Sequence, residues 1–276
     1  MTIFFWNIRK NPQTFSTLGT IVVEESVDVI ALAEFPPDSV DSLLAELNKT
    51  QELFAHCVQL SKHKVEVFYR KDKARVCDMG NLGRYSAVQL ENVNGGLKVY
   101  AFFVHLQSKL NGNTEDNKRQ EASRLSNEIA DFENTVSKVN HTFVCGDFNM
   151  NPFELGMITC DALNSVMDRE VVIKKNGIRK KDNESYKFFY NPMWSCLGDS
   201  SIGQSSGTYF DMSNKTDTIY WNMIDQVIIR KELIDVFDIS KLKIVTKGNN
   251  YDLLDRYACI NRKISDHLPI LFNLNI

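Results

Sequence analysis

The segment at positions 144–152, VCGDFNMNP, carries the sharpest chemical signal in the sequence. An apolar run ends at Gly146, and Asp147, Phe148 and Asn149 follow it. Because side chains alternate along an extended chain, Asp147 and Asn149 point to the same side while Phe148 packs behind them. A carboxylate and a carboxamide placed in this way hold and polarise a water molecule. The alternative is a capping turn, since Asp and Asn both favour loops.

Two other segments place an acid beside an imidazole or among apolar residues. SDHLPI, residues 265–270, sets Asp266 and His267 before a short apolar strand, where the pair would bind a metal or an anionic oxygen and deliver a proton. A structural histidine is the alternative. MIDQVIIR, residues 223–230, surrounds Asp225 with apolar neighbours, so this carboxylate needs a partner. A histidine would serve, and the pairing would raise the pKa of that histidine.

Three polar residues interrupt or end apolar runs elsewhere. Asn7 lies in FFWNI, Glu34 in VDVIALAEF, and His105 ends VYAFFVH. A glutamate at a strand end suits a hard cation, because Mg²⁺ takes oxygen ligands and keeps most of its waters. Each position is a weak signal by itself, so these residues indicate a site only together.

The composition is that of an ordinary globular protein. The 276 residues are 43% hydrophobic and 24% charged with a formal net charge of −3, which excludes a disordered, collagenous or coiled-coil chain. The sequence contains no apolar run near the ~20 residues of a membrane span, and its first ten residues lack the features of a signal peptide. The six cysteines form no C-x-x-C pair, which favours free thiols in a reducing compartment. We therefore expect a cytoplasmic protein.

Strand-like apolar runs alternate with helical patterns, which predicts a mixed α/β chain with helices covering sheets. The chain contains no repeat or linker, so one domain over residues 1–276 is expected. Helices are predicted over 14–25, 38–49 and 115–136, the second with Asp38 as its N-cap. The predicted strands, of which the four between 64 and 106 are expected to pair in antiparallel order, are 2–8, 27–33, 64–70, 74–79, 84–91, 97–106, 141–146, 224–230 and 268–274.

A basic stretch at residues 169–187 contains seven Lys or Arg and three Asp or Glu. Aromatic residues accompany it at Tyr186, Phe188, Phe189, Tyr190 and Trp194. One interpretation is a solvated charged loop that leads into a buried aromatic segment. The other is a basic surface whose aromatic side chains stack on nucleotides.

Taken in order, WN, AE, a strand ending in His, GDFN-x-NP, ID and SDHLP resemble the motifs of the endonuclease/exonuclease/phosphatase superfamily. The resemblance extends from Asn7 to His267. It implies a deoxyribonuclease I-like α/β (α+β) fold, a four-layer α/β/β/α sandwich. In this fold two sheets pack face to face with helices outside, and the site lies at strand ends along one edge.

The resemblance implies roles around a metal ion and a water molecule. Glu34 matches the Mg²⁺ ligand of the family, with Asn7 its neighbour at the metal and Asp266 the acid beside it. Asp147 matches the aspartate that orients or deprotonates the attacking water. Asn149 matches the asparagine that hydrogen-bonds the phosphate or the water.

The resemblance also implies contacts to the substrate phosphate. His267 matches the histidine bound to the scissile phosphate, and Asp225 matches its orienting carboxylate. His105 matches the second histidine of deoxyribonuclease I-like and sphingomyelinase-like members. Arg84, in LGRYSAV, stands where relatives hold a phosphate-contacting arginine, and Trp194 belongs to an aromatic segment that lines the cleft or is buried.

Two positions depart from the family pattern. His63 aligns with the carboxylate that usually pairs with the second histidine, which puts the role of His105 as an acid in question. Phe35-Pro36-Pro37 replaces the arginine with which deoxyribonuclease I enters the minor groove. Residues 188–198, 207–210 and 221–227 resemble a bacterial subgroup of the superfamily. KRQEASRL, residues 118–125, forms either surface ion pairs through Arg119 and Arg124 or a bridge to the floor of the site.

These observations predict a metal-dependent phosphoric-ester hydrolase that uses Mg²⁺, with Mn²⁺ able to substitute. A nuclease acting on DNA or RNA is placed first, because of the basic stretch. A phosphatase or phosphodiesterase acting on a small-molecule or lipid phosphate is the alternative, favoured by the net charge and the missing arginine. A catalytically inactive interaction domain of the same fold is the second alternative. No partner protein is inferred.

Overall fold

The computed structural model describes residues 1–60, 63–80, 85–108, 114–199, 205–213 and 218–276, which form two large mixed β-sheets with helices outside them. The strands are β1 (Thr2–Asn7), β2 (Val29–Ala33), β3 (Phe54–His56), β4 (Val65–Arg70), β5 (Ala74–Asp78), β6 (Ser86–Asn92), β7 (Val99–His105), β8 (Thr142–Asp147), β9 (Ser165–Val166), β10 (Ile178–Lys181), β11 (Glu184–Lys187), β12 (Phe189–Tyr190), β13 (Tyr209–Phe210), β14 (Trp221–Asn222), β15 (Asp225–Ile229), β16 (Phe237–Ile244) and β17 (Ile270–Leu274). The helices are α1 (Thr14–Glu24), α2 (Val40–Leu47), α3 (Glu115–Phe132), α4 (Leu155–Ile158) and α5 (Arg169–Lys174). A π-helical turn follows α3 at Glu133–Ser137, and 3₁₀ turns lie at Pro192–Cys196 and Lys231–Leu233.

The strand orders of the two sheets show which strand ends meet. In the described part of the chain, the first sheet has the order β16-β17-β1-β2-β4-β3 and the second the order β5-β6-β7-β8-β15-β12-β9. The central pairs β1–β2 and β7–β8 are parallel, so the carboxyl ends of the two strands in each pair lie at the same edge. Strands β15 and β17 run antiparallel to β8 and β1, and they begin near that edge.

The central strands are apolar on both faces because each sheet is covered on both sides. Ile3 and Phe5 of β1 pack between the sheets with residues such as Phe143, whereas Phe4 and Trp6 face α1. Helix α3 covers the outer face of the second sheet through the apolar positions Ala122, Leu125, Ile129 and Phe132. The four layers are therefore helix, sheet, sheet and helix, as the sequence resemblance implied.

The predicted elements are found with their ends shifted by a few residues, but two details were wrong. Strand β4 pairs with β2 and β3 in the first sheet, so it forms no hairpin with β5. The turn at residues 71–73 carries the chain across to the facing sheet, and closeness in sequence does not distinguish these two paths. Asp38 does not cap α2: it has a left-handed φ of 56°, and Ser39 is the N-cap residue.

An ion pair is buried at the end of β15 that is remote from the Asp225 end. The Arg230 guanidinium donates to both oxygens of Glu133, at 2.8 and 3.2 Å, and lies over the Phe189 ring at 3.7 Å. Lys187 adds a third contact to Glu133, at 3.0 Å. Glu133 and Arg230 are each only 2% exposed, so either one would be an uncompensated buried charge if its partner were removed.

We expect Glu133→Ala to lower the free energy of unfolding by about 3–5 kcal/mol, because Arg230 then stays buried without its carboxylate. Urea denaturation at neutral pH measures this loss. Asp235→Asn, which removes an exposed ion pair with Arg169, is the control and should change stability by less than about 0.5 kcal/mol. Equal effects of the two substitutions would contradict the buried-pair argument.

Candidate active site at the shared edge of the sheets

Strand ends of both sheets bring polar side chains to one edge of the sandwich. Asn7 ends β1, and Glu34 follows β2 directly. In the second sheet, Asp147 at the end of β8 lies between two direct neighbours, His105 on β7 and Asp225 on β15. The five positions meet because the two parallel pairs end at this edge and β15 begins there.

Gly146 shows how closely the strands approach one another beside Asp147. A Cβ atom at this position would lie 2.0 Å from the carbonyl oxygen of Val104. Any side chain would therefore push β7 away from β8 and separate His105 from Asp147. The neighbouring atom belongs to the backbone of β7, which cannot move aside as a flexible side chain would. The GDFN motif therefore requires glycine at this position.

Two hydrogen-bonded contacts join the sheets at the site. The Asn7 amide donates from Nδ2 to Asp147 Oδ2 at 3.1 Å and to Glu34 Oε1 at 3.3 Å. His267 Nδ1 lies 2.8 Å from Asp225 Oδ2, and both side chains are almost completely buried. The structure thus brings together Asn7, Glu34, Asp147, Asp225 and His267, all of which the sequence analysis had singled out.

The backbone around these residues adopts uncommon conformations. Glu34 and Asn149 have left-handed φ angles of 48° and 51°, which are unusual for residues with side chains. Asn149 is held by two hydrogen bonds: its backbone N–H donates to Asp147 Oδ1 at 2.9 Å, and its Nδ2 donates to the Leu106 carbonyl at 2.9 Å. Strained residues that surrounding contacts fix in place are typical of functional sites.

Several residues that sequence reasoning missed hold the His267–Asp225 pair in place. Trp6 Nε1 donates to the His267 carbonyl at 2.9 Å, and the His267 N–H donates to Ser265 Oγ at 3.2 Å. The hydroxyl of Thr208 accepts the Asp225 N–H at 3.0 Å. The Tyr209 ring packs 5.2 Å from the imidazole. Ser265 belongs to the SDH motif, and Thr208 and Tyr209 belong to residues 207–210, which the sequence analysis had noted. The spacing of these segments alone did not show that they would support the His267–Asp225 pair.

The electrostatics of the site raise the pKa values of Asp147 and His267 for different reasons. Burial raises the pKa of Asp147 to about 7, and the nearby Asp225 charge adds to this effect. Burial lowers the pKa of His267, but the charge and hydrogen bond of Asp225, followed by the charge of Asp147, outweigh it and raise the pKa to about 10. Near neutral pH the imidazole is therefore a buried cation. The Asp147 carboxyl, whose pKa lies near this pH, is present in both its protonated and its ionised form.

Other predicted site residues lie at the margin of this cluster. His105 Nε2 is 3.7 Å from Asp147 and 3.8 Å from Glu34, and burial lowers its pKa. Asp266 Oδ2 lies 3.6 Å from Nε of the exposed Arg9. Arg84 lies outside the described residues.

Trp194 lies in the 3₁₀ turn at Pro192–Cys196. Its half-buried ring lies 6.5 Å from that of Phe153, which is four residues beyond Asn149. Its indole Nε1 is buried and has no hydrogen-bond partner within the described part of the chain. The role of Trp194 in substrate binding stays a prediction.

The basic stretch is mostly solvated. The hairpin of β10 and β11 presents Arg179, Lys180 and Lys181 to solvent. Phe188 and Phe189, which follow it, are buried in the core, so the first interpretation, a buried aromatic segment, is confirmed at these two positions. Tyr209 of β13, by contrast, packs against His267.

The donors at this edge fit a divalent cation. Glu34 supplies a carboxylate that is one-third exposed, so an ion bound there would keep several waters, as Mg²⁺ requires. Asp147, Asp225 and His267 also lie close enough to hold a metal ion, with ligand atoms within 4.8 Å of one another. Because a ligating imidazole must be neutral, the raised pKa of His267 favours Glu34.

Both ends of the Asn7 side-chain amide have hydrogen-bond partners. Its Oδ1 accepts the backbone N–H of Arg9 at 3.1 Å, while its Nδ2 faces the two carboxylates. This arrangement orients Glu34 and Asp147. Direct metal binding by Asn7 remains a prediction.

Comparisons with known proteins agree with this architecture. The model of the family described as "Endonuclease/Exonuclease/phosphatase family" matches residues 4–267. No curated protein sequence matches the chain. Among the described residues, no helix is long and apolar enough to cross a membrane.

Three solved structures illustrate the similarity. Truncated TDP2 of Caenorhabditis elegans is 18% identical with a TM-score of 0.54, covering 99% of this chain and 97% of its own. A mannosyl-6-phosphatase of Bacteroides thetaiotaomicron is 13% identical with a TM-score of 0.58, covering 99% of each chain. The endonuclease domain of TRAS1, a telomere-specific non-LTR retrotransposon, is 9% identical with a TM-score of 0.55, covering 99% of this chain and 97% of its own. At these identities the similarity shows the fold.

We expect Asp225→Asn to lower the pKa of His267 substantially, because the neighbouring negative charge that outweighs burial is removed. In the unaltered protein the folded pKa of about 10 lies above the ordinary 6.5. The stability that the pair contributes is therefore fully present below about pH 6.5 and is lost as the pH rises towards 10. NMR titration of the imidazole nitrogens in a chelating buffer measures the shift.

Asp131→Asn, a change at an exposed carboxylate on α3, provides the control for this titration. It should leave the His267 pKa unchanged. A His267 pKa that stays near 10 in Asp225→Asn would show that Asp225 does not set the charge of the imidazole.

Proposed function

Because the chain belongs to the endonuclease/exonuclease/phosphatase family, whose members are phosphoesterases, we propose that it is a Mg²⁺-dependent nuclease that hydrolyses DNA or RNA phosphodiesters. The observation that carries this proposal is the buried cluster in which Asp147 and the Asp225–His267 pair meet at one edge. Phosphoester hydrolysis needs a positioned water and a group that stabilises charge on the phosphoryl oxygens. The cluster offers one group for each task.

Asp147 is proposed to orient and deprotonate the attacking water. A general base works best when its pKa lies near the working pH, and burial brings the Asp147 carboxyl to about 7. The Asn7 amide and the Asn149 N–H fix both of its oxygens, so the carboxylate keeps one orientation. No covalent intermediate on a side chain is required.

His267 is proposed to stabilise the charge on the phosphoryl oxygens. Asp225 binds Nδ1 and keeps the ring protonated, which leaves Nε2–H as the donor towards the substrate. A buried cation held in position stabilises an anionic transition state more strongly than a solvated one. Asp225 is proposed to act through this ring, to which its Oδ2 is bound. Its Oδ1 is buried and has no hydrogen-bond partner in the described part of the chain.

Glu34 is proposed to hold the Mg²⁺ ion, with Asn7 fixing its orientation and Asp266 beside it. When bound, the cation neutralises charge on the phosphate oxygens and helps the leaving oxygen depart. Asn149, which has one N–H bound to Leu106, is proposed to donate the other to the phosphate or the water. His105 and Arg84 are proposed as further contacts to the phosphate.

The choice of a nucleic acid rests on aromatic and basic surface features. Tyr209 of β13 packs 5.2 Å from the His267 ring, and the neighbouring Phe210 stacks on Tyr220, which is 49% exposed. Such rings stack on bases without regard to sequence. The exposed hairpin of β10 and β11 supplies cations that attract a polyanion.

A phosphatase or phosphodiesterase acting on a small or lipid phosphate ester is the second candidate. The net charge of −3 supports it, because the protein as a whole does not attract a polyanion. Phe35 after the proposed metal ligand also supports it, since the ring packs against Phe15 and Phe68 and leaves no cation there to contact a duplex.

A single substrate panel with Mg²⁺ tests the choice: plasmid, single-stranded DNA, RNA, inositol phosphates and sphingomyelin. We expect cleavage of nucleic acid, and a kcat/KM that falls steeply with added salt because several phosphates are bound. Asp147→Asn should lower kcat by about 10²–10⁴, the usual effect of losing a general base. Hydrolysis of only a small or lipid ester, without salt dependence, would replace the first candidate by the second.

The metal requirement is tested with EDTA in the same assay. We expect the chelator to abolish turnover and Mg²⁺ or Mn²⁺ to restore it, because the cation balances charge that the side chains alone do not. Glu34→Gln should need a higher Mg²⁺ concentration for half-maximal activity, since a neutral amide binds a hard cation more weakly. Full activity in EDTA would remove the metal from the proposal.

A further inference from the structure

Lys118 occupies an unfavourable position for a cation. It lies in the first turn of α3, where the helix dipole favours negative charge, and Glu115 and Asp116 fill that turn as expected. Lys118 is also only 3% exposed, and burying an ammonium group is costly unless it is paired. Both the helix dipole and burial disfavour a cation here. The contacts of the Lys118 side chain must therefore stabilise it.

The contacts of Lys118 lead to the candidate active site. Its Nζ donates to the backbone carbonyl of Asn149, the residue whose N–H holds Asp147. The same Nζ lies 3.5 Å from Glu154 Oε2. The carbonyl of a residue with a left-handed φ is thus fixed by a buried cation from the outer helix layer.

Glu154 extends this connection to the start of β15, the strand that carries Asp225. Its Oε1 accepts the N–H of Asn151 at 3.0 Å. The Asn151 side chain then donates to Asn222 Oδ1 at 2.8 Å and accepts the N–H of Met223 at 2.8 Å. Met223 lies two residues before Asp225, so the network joins the 147–151 loop to the start of β15.

We infer that Lys118 and Glu154 are positioning residues that set the placement of Asp147 and Asn149 relative to the Asp225–His267 pair. The inference rests on the proposed function for its kinetic consequence, but the positioning itself is a property of the free protein. Neither side chain touches the reacting atoms. Their removal should displace the loop that carries the base, and small displacements of catalytic groups reduce rates by large factors.

The neighbouring Arg119 provides a matched control. It forms an ion pair with Asp161, and both side chains are more than one-third exposed. Arg119 therefore fulfils the surface-pair expectation for the KRQEASRL segment, whereas Lys118 forms the bridge to the site. Loss of one positive charge from α3 is common to substitutions at both positions, whereas the contact with the Asn149 carbonyl is made by Lys118.

The first measurement is amide hydrogen–deuterium exchange of the metal-free protein. Lys118→Met, which keeps the length of the side chain, should speed exchange over residues 147–154 and 222–226. The β7 peptide and the exchange pattern of Arg119→Gln should match the unaltered protein. Unchanged exchange over residues 147–154 in Lys118→Met would overturn the inference.

The second measurement is steady-state hydrolysis of bis(p-nitrophenyl) phosphate with Mg²⁺. Lys118→Met should lower kcat by about tenfold to a hundredfold while KM stays within twofold, because the substrate contacts remain. Lys118→Arg, which keeps a cation near the Asn149 carbonyl, should recover most of the loss. A change in KM with an unchanged kcat would contradict a positioning role. So would a kcat that does not recover in Lys118→Arg.

Glu154→Gln keeps the positioning inference testable if Lys118→Met does not fold. It retains an acceptor for Asn151 but loses the ion pair, so the same exchange change is expected at a smaller size. If the unaltered protein hydrolyses no ester of the panel, the proposed function fails. The exchange measurements still decide the positioning inference in that case, because they require no substrate.

Discussion

The hydrogen bond between His267 and Asp225 is the contact on which the candidate site depends. It joins the two sheets, since His267 precedes β17 of the first and Asp225 begins β15 of the second. Both groups are buried, so each needs the other as its partner, and the negative charge of Asp225 also acts on Asp147 across the strand pair. One interaction therefore links the layers, keeps the imidazole charged and adds to the effect of burial on the proton affinity of Asp147.

Sequence reasoning identified the residues of the cluster because their chemistry contradicts their surroundings. Asp225 among apolar neighbours and Glu34 at the end of a buried strand stand out for the same reason: an isolated charge does not belong in a core. The hydrogen-bond partners of these residues were harder to predict from the sequence. The contact of Asn7 with Asp147 spans 140 positions and depends on how the sheets face each other.

The failures have physical causes of the same kind. Strand β4 lies between β2 and β3 of the first sheet instead of beside β5, the terminal strand of the second, and no local pattern reports this choice. Composition left open whether Phe188 and Phe189 are buried or form a stacking surface; the structure buries both, and Phe189 of β12 lies beneath the Arg230 guanidinium. The sequence left open a bridge from residues 118–125 to the site but did not single out Lys118, because a lysine within a charged helical segment normally faces water. Only the coordinates reveal that its helix lies over the loop after β8.

The register of the central strands has a consequence for how such a chain tolerates length changes. Asp147 lies opposite both His105 and Asp225, so inserting one residue within β7, β8 or β15 would turn a catalytic side chain to the opposite face of its sheet. The same insertion at the tip of the β10–β11 hairpin moves nothing in either sheet. Natural variation in length, and the grafting of foreign peptides or tags, should therefore concentrate at that hairpin and be excluded from the three strands.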